Sequence, residues 1–273
     1  MDKIIKLFII ALLPIFIFIP NVVSAGKITD TFIPDTYYGS DDHGRGDVIG
    51  PSSTFDTSGA TVNLSDNGIL TVEIATNFAG KGDDGLYSQY TEGGKGIGYG
   101  DLLLSDNWSP TGSSPYLSDD AANGTHWQYG FALDDRYSSP SAGAHGSGTV
   151  YELSGGSISN HNPGVKLSDD FMTGAIFRNG QAVAVDKASA SIIDADKAEW
   201  WVEDGKIVFQ IDISGTGLAS ADEIAIHWTM TCGNDVFEGS ARVSHTPIPA
   251  PIVLLGTGLV GLIGLKRKKT LSG

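Results

Sequence analysis

The sequence predicts an all-β fold, an antiparallel two-sheet sandwich of jelly-roll or lectin-like topology, and three observations carry that expectation. Many short segments alternate apolar and polar residues with a period of two. Between residues 26 and 245 nothing sustains the 3.6-residue apolar period of a helix. Long runs rich in Gly, Ser and Asp separate the alternating segments, and no internal repeat points to a solenoid or propeller.

In chain order, residues 27–56 read as turn-rich, and Tyr37-Tyr38-Gly-Ser-Asp41-Asp42-His43-Gly-Arg-Gly-Asp47 is a shaped loop rather than a strand. Alternation begins with Ala60, Val62 and Leu64, turns at Asp66-Asn67-Gly68 and resumes with Leu70, Val72 and Ile74, the pattern of a β-hairpin. A second glycine-rich loop over 80–100 leads into the apolar run Leu102, Leu103 and Leu104, and a further loop covers 105–125. Trp127, Tyr129, Phe131 and Leu133 then share one face, expected to be core, and residues 150–153 form another strand. Asn179-Gly180 reads as a two-residue turn joining 175–178 to 181–185. The strongest hairpin pairs Trp200-Trp201-Val202 with Ile207, Phe209, Ile211 and Ile213 across Asp204-Gly205. In the last strand Ile224, Ile226, Trp228, Met230 and Cys232 should point inward, with His227, Thr229 and Thr231 outward.

The two ends have a different character. Lys3 and Lys6 precede an apolar run over 7–19, and Val23-Ser24-Ala25 is a small-x-small site, so residues 1–25 read as a secretory signal peptide. Residues 26–245 form one exported domain. It holds 11 of the 17 cations and 31 of the 32 acidic residues, a net charge of −20 that excludes nucleic acid as a partner and invites divalent cations. Cys232 is the only cysteine, so no intrachain disulfide braces the fold.

For catalysis, a glycosidase needs two carboxylates about 5 to 10 Å apart with pKa values pushed apart, and nothing in the spacing of the acidic residues selects such a pair. Nucleophilic catalysis lacks its signatures: Cys232 faces the core, no Gly-x-Ser-x-Gly elbow is present, and the histidines at 43, 126, 145, 161, 227 and 245 lack the spacing of zinc ligands. The domain is therefore expected not to be an enzyme, the alternative being a secreted glycoside hydrolase or lyase. Calcium suits acidic, glycine-permitted turns. Two loops end in Gly-x-Gly-Asp, and Asp41, Asp42, Asp47 and Asp101 are the candidate ligands, with Asp83 and Asp84 beside them; the alternative is that these aspartates only cap turns. Loop aromatics that suit stacking on sugar rings are Tyr37, Tyr38 and Trp108, together with Tyr87, Tyr90 and Tyr116, unless they pack the loops onto the core.

The C-terminal segment 246–273 carries the most specific signal. Pro247, Pro249 and Pro251 hold an extended stretch, no charge occurs from 247 to 265, glycines recur at 256, 258, 261 and 264, and Lys266-Arg267-Lys268-Lys269 closes the run. The uncharged run from 247 to 265 is just long enough for a hydrocarbon core of about 30 Å, and residues 250–265 within it read as a transmembrane helix. This order of proline motif, glycine-rich apolar helix and basic cluster resembles the PEP-CTERM sorting tails of Gram-negative bacteria that make extracellular polysaccharide. The family's usual Pro-Glu-Pro is here Pro247-Ile248-Pro249, similar to a variant branch with an apolar residue between the prolines. The resemblance implies recognition and cleavage by an exosortase after transient residence in the inner membrane. The product would stay at the cell surface or in the extracellular matrix, with extracellular polysaccharide, and the biofilm it builds, as the expected setting of the β domain.

Overall fold

Antiparallel β-structure dominates the computed structural model of the chain, which describes residues 26–41, 43–153, 162–174, 176–194 and 198–245. Fourteen strands are present among them: β1 Gly26–Pro34, β2 Thr57–Leu64, β3 Ile69–Thr76, β4 Leu102–Ser105, β5 Tyr129–Leu133, β6 Gly146–Glu152, β7 Val165–Leu167, β8 Ala182–Val185, β9 Ser191–Asp194, β10 Ala198–Glu203, β11 Lys206–Asp212, β12 Glu223–Thr229, β13 Val236–Arg242 and β14 Ser244–His245. The one α-helical turn, Ser52–Phe55, is four residues long, and no helix among the described residues is long and apolar enough to cross a membrane. The segments expected to be a signal peptide (1–25) and a sorting tail with a transmembrane helix (246–273), together with Asp42, lie outside the described residues.

The hairpins expected from alternation form as read. β2 and β3 pair from Thr57↔Thr76 to Leu64↔Leu70 around the turn at Gly68. β10 and β11 pair around Asp204 and Gly205, whose φ values of 41° and 76° make the left-handed turn that matches strand twist. Hydrogen bonding then runs through twelve strands in the order β13-β12-β4-β5-β6-β10-β11-β3-β2-β1-β14, with β9 added to β6. β6 is the corner: Gly146 and Ser147 pair with β10, while Val150 to Glu152 pair with β9. The sequence led us to expect two separate sheets. One continuous path curls over instead, and its ends approach because β13 packs against β1 and β2. Gly239 permits this approach, since a Cβ there would lie 2.7 Å from Cγ2 of Ile33. The result is a nearly closed, barrel-like sheet.

Inside the curl lies the main core. Val62, Leu70, Val72, Ile74, Ile207, Phe209 and Ile211 from one half meet Leu102, Leu104, Phe131, Ile224, Ile226 and Trp228 from the other, all at most 1% exposed. Phe131 meets Phe209 edge to face at 6.0 Å, and each such ring stabilises the fold by about 1.5 to 3 kcal/mol through burial. Cys232 is fully buried, as its register implied, and burial pushes its thiol up to about 12.

Four expectations need correction. β1 falls within the stretch read as turn; its largely exposed, polar residues hid a strand that pairs with β2 and, at Gly26 and Lys27, with β14. Asn179 and Gly180 do form a turn, but β8 pairs with β7 rather than with 176–178, because Arg178 gives its amide to Cys232 instead. Trp127 does not join Phe209, Ile211 and Trp228. β5 starts only at Tyr129, so Trp127 escapes the alternation and enters a second cluster on the outer face, with Leu103, Tyr151, Val185 and Ala225. That outer face is covered by β8, which is why His227 and Thr229, expected to point outward, are at most 2% exposed.

Candidate functional site

The loops at residues 35–55, 80–100 and 171–178 and the turn before β13 converge on an open pocket of about 410 Å³. Two of its walls are tyrosines. The short 3₁₀ turn Ser88–Tyr90 carries Tyr90 and is preceded by Tyr87, and the two rings line the pocket, Tyr87 at 41% and Tyr90 at 38% exposure. The turn is stapled to the facing segment, because Glu92 donates its amide to the Phe171 carbonyl at 2.8 Å and Thr173 donates to Tyr90 at 2.8 Å. That segment contributes Met172 and the exposed Ile176 to the opposite wall. Phe55, buried behind, stands 6.1 Å from the Tyr87 ring and supports it.

Asn234 supplies the polar element. It is 6% exposed, lines the pocket, and its side-chain oxygen has no hydrogen-bond partner among the described residues. A buried amide oxygen without a partner costs about 1 to 3 kcal/mol until something donates to it. The Asn234 backbone carbonyl accepts from Ile49 at 2.8 Å, which ties it to the glycine-rich loop carrying Arg45 on the same pocket wall.

That loop is organised by Arg178, which is fully buried. Its guanidinium donates to the carbonyls of Gly233 at 3.1 Å, Gly46 at 2.7 Å and Asp47 at 2.5 Å. One residue beyond Asn234, Asp235 joins Asp35 and Asp47 in a cluster whose three ligand oxygens lie within 4.8 Å of one another, the only such triad among the described residues. Burial raises the carboxyl pKa values of all three, reinforced by the charge of Asp35 on Asp235, of Asp47 on Asp35 and of Asp56 on Asp47. Asp235 accepts from the amides of Thr57 at 2.5 Å and Val236 at 2.9 Å, and Asp35 from Tyr37 at 3.0 Å. One oxygen each of Asp35 and Asp47 is buried with no partner among the described residues. Calcium binds carboxylate oxygens at about 2.3 to 2.6 Å, so ligands on opposite sides of the ion stand roughly 5 Å apart, which the triad matches.

The expected residues are dispersed. Of the four calcium candidates only Asp47 belongs to the triad; Asp42 lies outside the described residues. Asp41 caps a turn by accepting the amides of His43, at 2.9 Å, and Arg45. Burial works against its charge, but those amides and the charge of Arg178 outweigh it and hold its pKa below the usual value. Asp101 is buried and fully engaged, accepting from Leu133 at 3.0 Å, Val185 at 2.8 Å and both prongs of the Arg136 Nη2 contact. Among the aromatics, Tyr37 is 1% exposed and donates to Asp119 at 2.6 Å. Tyr38 is half-buried, and Trp108 donates its indole N–H to Glu238 at 3.0 Å. Tyr116 stacks on Tyr37 at 5.8 Å, so this group packs one loop down while Tyr87 and Tyr90 remain available. Asn234, Asp35 and Asp235 were not singled out from the sequence, because an Asn-Asp turn before a strand and an Asp after one are ordinary cap positions.

A second buried polar cluster joins His227, Glu238, Thr125 and Asp119. Glu238 accepts from Trp108 and from Thr125 at 2.8 Å and faces His227 Nδ1 at 3.2 Å, while His227 Nε2 lies 2.6 Å from the Ala182 carbonyl. Burial and the charge of Glu238 push the Asp119 carboxyl up to about 6. Both carboxylates are at most 3% exposed, so a substrate does not reach them in this conformation.

No family model, no curated protein and no solved structure matches the chain.

Proposed function

We propose that this chain is an exported cell-envelope or extracellular-matrix protein whose β domain binds polysaccharide without cleaving it. The observation that carries the binding role is the pair Tyr87 and Tyr90, two exposed rings that line one open pocket; among the described aromatics only Phe32, on β1, is more exposed. In this reading the two halves of the curled sheet stand for the layers of a lectin-like or jelly-roll sandwich, and the packing of Phe131 on Phe209 supports it. The non-catalytic part is supported by the burial of Asp119 and Glu238, both at most 3% exposed, which keeps that carboxylate cluster away from a substrate in this conformation.

The setting is carried by the termini. Residues 1–25 export the chain, residues 250–265 hold it briefly in the inner membrane, and an exosortase acts at Pro247-Ile248-Pro249 ahead of Lys266 to Lys269. Calcium is proposed at Asp47 with Asp35 and Asp235, in place of Asp41 and Asp101; the two buried carboxylate oxygens without a partner among the described residues support it. The reading is tested by electrophoresis of the protein through gels containing polysaccharide from the producing cells, with reducing ends assayed in parallel. Retardation with no new reducing ends is expected. Unretarded migration contradicts the binding role, and release of reducing ends contradicts the non-catalytic one.

A further inference from the structure

From the pocket's chemistry we infer its ligand class: a neutral pyranose unit of a glycan, stacked on Tyr87 and Tyr90 and hydrogen-bonded through one hydroxyl to the side-chain oxygen of Asn234. This rests on the polysaccharide-binding reading and names its site. A pyranose has an apolar face of C–H groups, which aromatic rings cover, and an equatorial rim of hydroxyls, each a donor. The pocket offers the complement of both. Its rings are exposed, its further walls at Phe55, Met172 and Ile176 are apolar, and the Asn234 oxygen lacks a donor. The oxygen is covered in this conformation, so the bond requires the Asn234 amide to turn toward the pocket, and a hydroxyl proton placed there then removes an existing penalty.

The backbone is also preset. Tyr87 has φ 56° and ψ 29°, in the left-handed region that side-chain-bearing residues seldom occupy. Such strain persists where surrounding structure demands it, and here it turns the ring onto Phe55 and into the pocket. A preset ring loses little conformational freedom on binding.

Neutrality follows from charge. The domain carries −20, so polyanions approach it unfavourably at long range. Arg45 is the only charged residue among the described pocket lining, and its loop also carries Asp41 and Asp47.

The test is affinity electrophoresis of the full chain, in a detergent without a sugar headgroup, through gels containing neutral polymers (a soluble β-glucan, xylan, galactomannan) or alginate as a uronate polymer. Retardation by at least one neutral polymer is expected, weakened about tenfold in Tyr87→Gly and in Tyr90→Ala. Glycine relieves the left-handed backbone at 87, so that variant should keep its fold. Asn234→Ala should bind about two- to tenfold more weakly while unfolding at an equal or higher denaturant concentration, because it deletes an unpaired buried oxygen; a merely structural asparagine would lose stability instead. Retardation that survives Tyr87→Gly and Tyr90→Ala would move the binding elsewhere and overturn this pocket while sparing the polysaccharide reading. Retardation by alginate alone would overturn neutrality. Migration unaffected by every polymer would overturn both.

Discussion

Asp101 and Arg136 form a forked pair, with Arg136 Nη2 at 3.0 Å from one carboxylate oxygen and 3.1 Å from the other, and the Asp101 side chain is fully buried. The same carboxylate receives the amides of Leu133 and Val185, so it joins β5 and β8 to the start of β4. Removing one member of a buried pair leaves the other uncompensated. Asp101→Asn should therefore cost about 3 to 5 kcal/mol in chemical unfolding, equally with calcium and with chelator. A loss below about 1 kcal/mol, or one that chelator erases, would return Asp101 to the metal ligands.

The closure of the curled sheet is testable at Gly239. A methyl group there meets Ile33 Cγ2 at 2.7 Å, so Gly239→Ala should destabilise by about 1 to 3 kcal/mol. Ile33→Ala in the same chain should recover part of that loss. Strict additivity in this double-mutant cycle would mean that β13 and β1 do not approach as described.

Trp228 stands on the inner face of β12 and is fully buried, and Trp228→Ala should cost about 3 to 5 kcal/mol. An unchanged unfolding midpoint would contradict the register of β12.

For the carboxylate triad, millimolar calcium should raise the melting temperature over that in excess chelator, in proportion to RT ln(1 + [L]/Kd), about 2.7 kcal/mol at a hundredfold excess over Kd. Asp35→Asn and Asp47→Asn should reduce the shift, and Asp41→Asn should leave it intact. Identical melting curves for the wild type with calcium and with chelator would leave the triad as three buried carboxyls that share protons.

Asp119 gives a pH signature. Its folded pKa, about 6, lies above the ordinary carboxylate value, so the unfolded chain ionises first as pH rises. Its contribution to stability is greatest below about pH 4 and declines until about pH 6. The stability difference between wild type and Asp119→Asn should fall over that interval and level off above it. A flat difference would place the carboxyl in water.

Much of this was legible from alternation alone. Ala60, Val62 and Leu64, then Leu70, Val72 and Ile74, announced a hairpin, and Ile224, Ile226 and Trp228 announced a core face, because a period of two has only one physical origin in a half-buried strand. The same pattern could not show that β8 would cover the opposite face and bury His227, since alternation marks a side and not what lies beyond it. Strand β1 was hidden because most of its residues are polar and exposed, so it shows no apolar alternation. At the site, acidic loops and loop aromatics were the right residue types. Which of them converge depends on contacts far apart in the chain, such as Asp235 to Thr57 across 178 residues, and local composition carries no record of those. Tyr87 and Tyr90 were among the loop aromatics, and only the stapling of their turn to residues 171–173 distinguishes them from Tyr37 and Trp108.

The central claim, a domain exported and then released to the surface by its tail, is tested most directly by intact mass spectrometry of the protein recovered from the producing cells' matrix. The mass should correspond to a chain that begins at Gly26 and lacks most of the segment after Thr246. A mass that still includes residues 252–265 would contradict sorting by cleavage and reduce the tail to a permanent anchor.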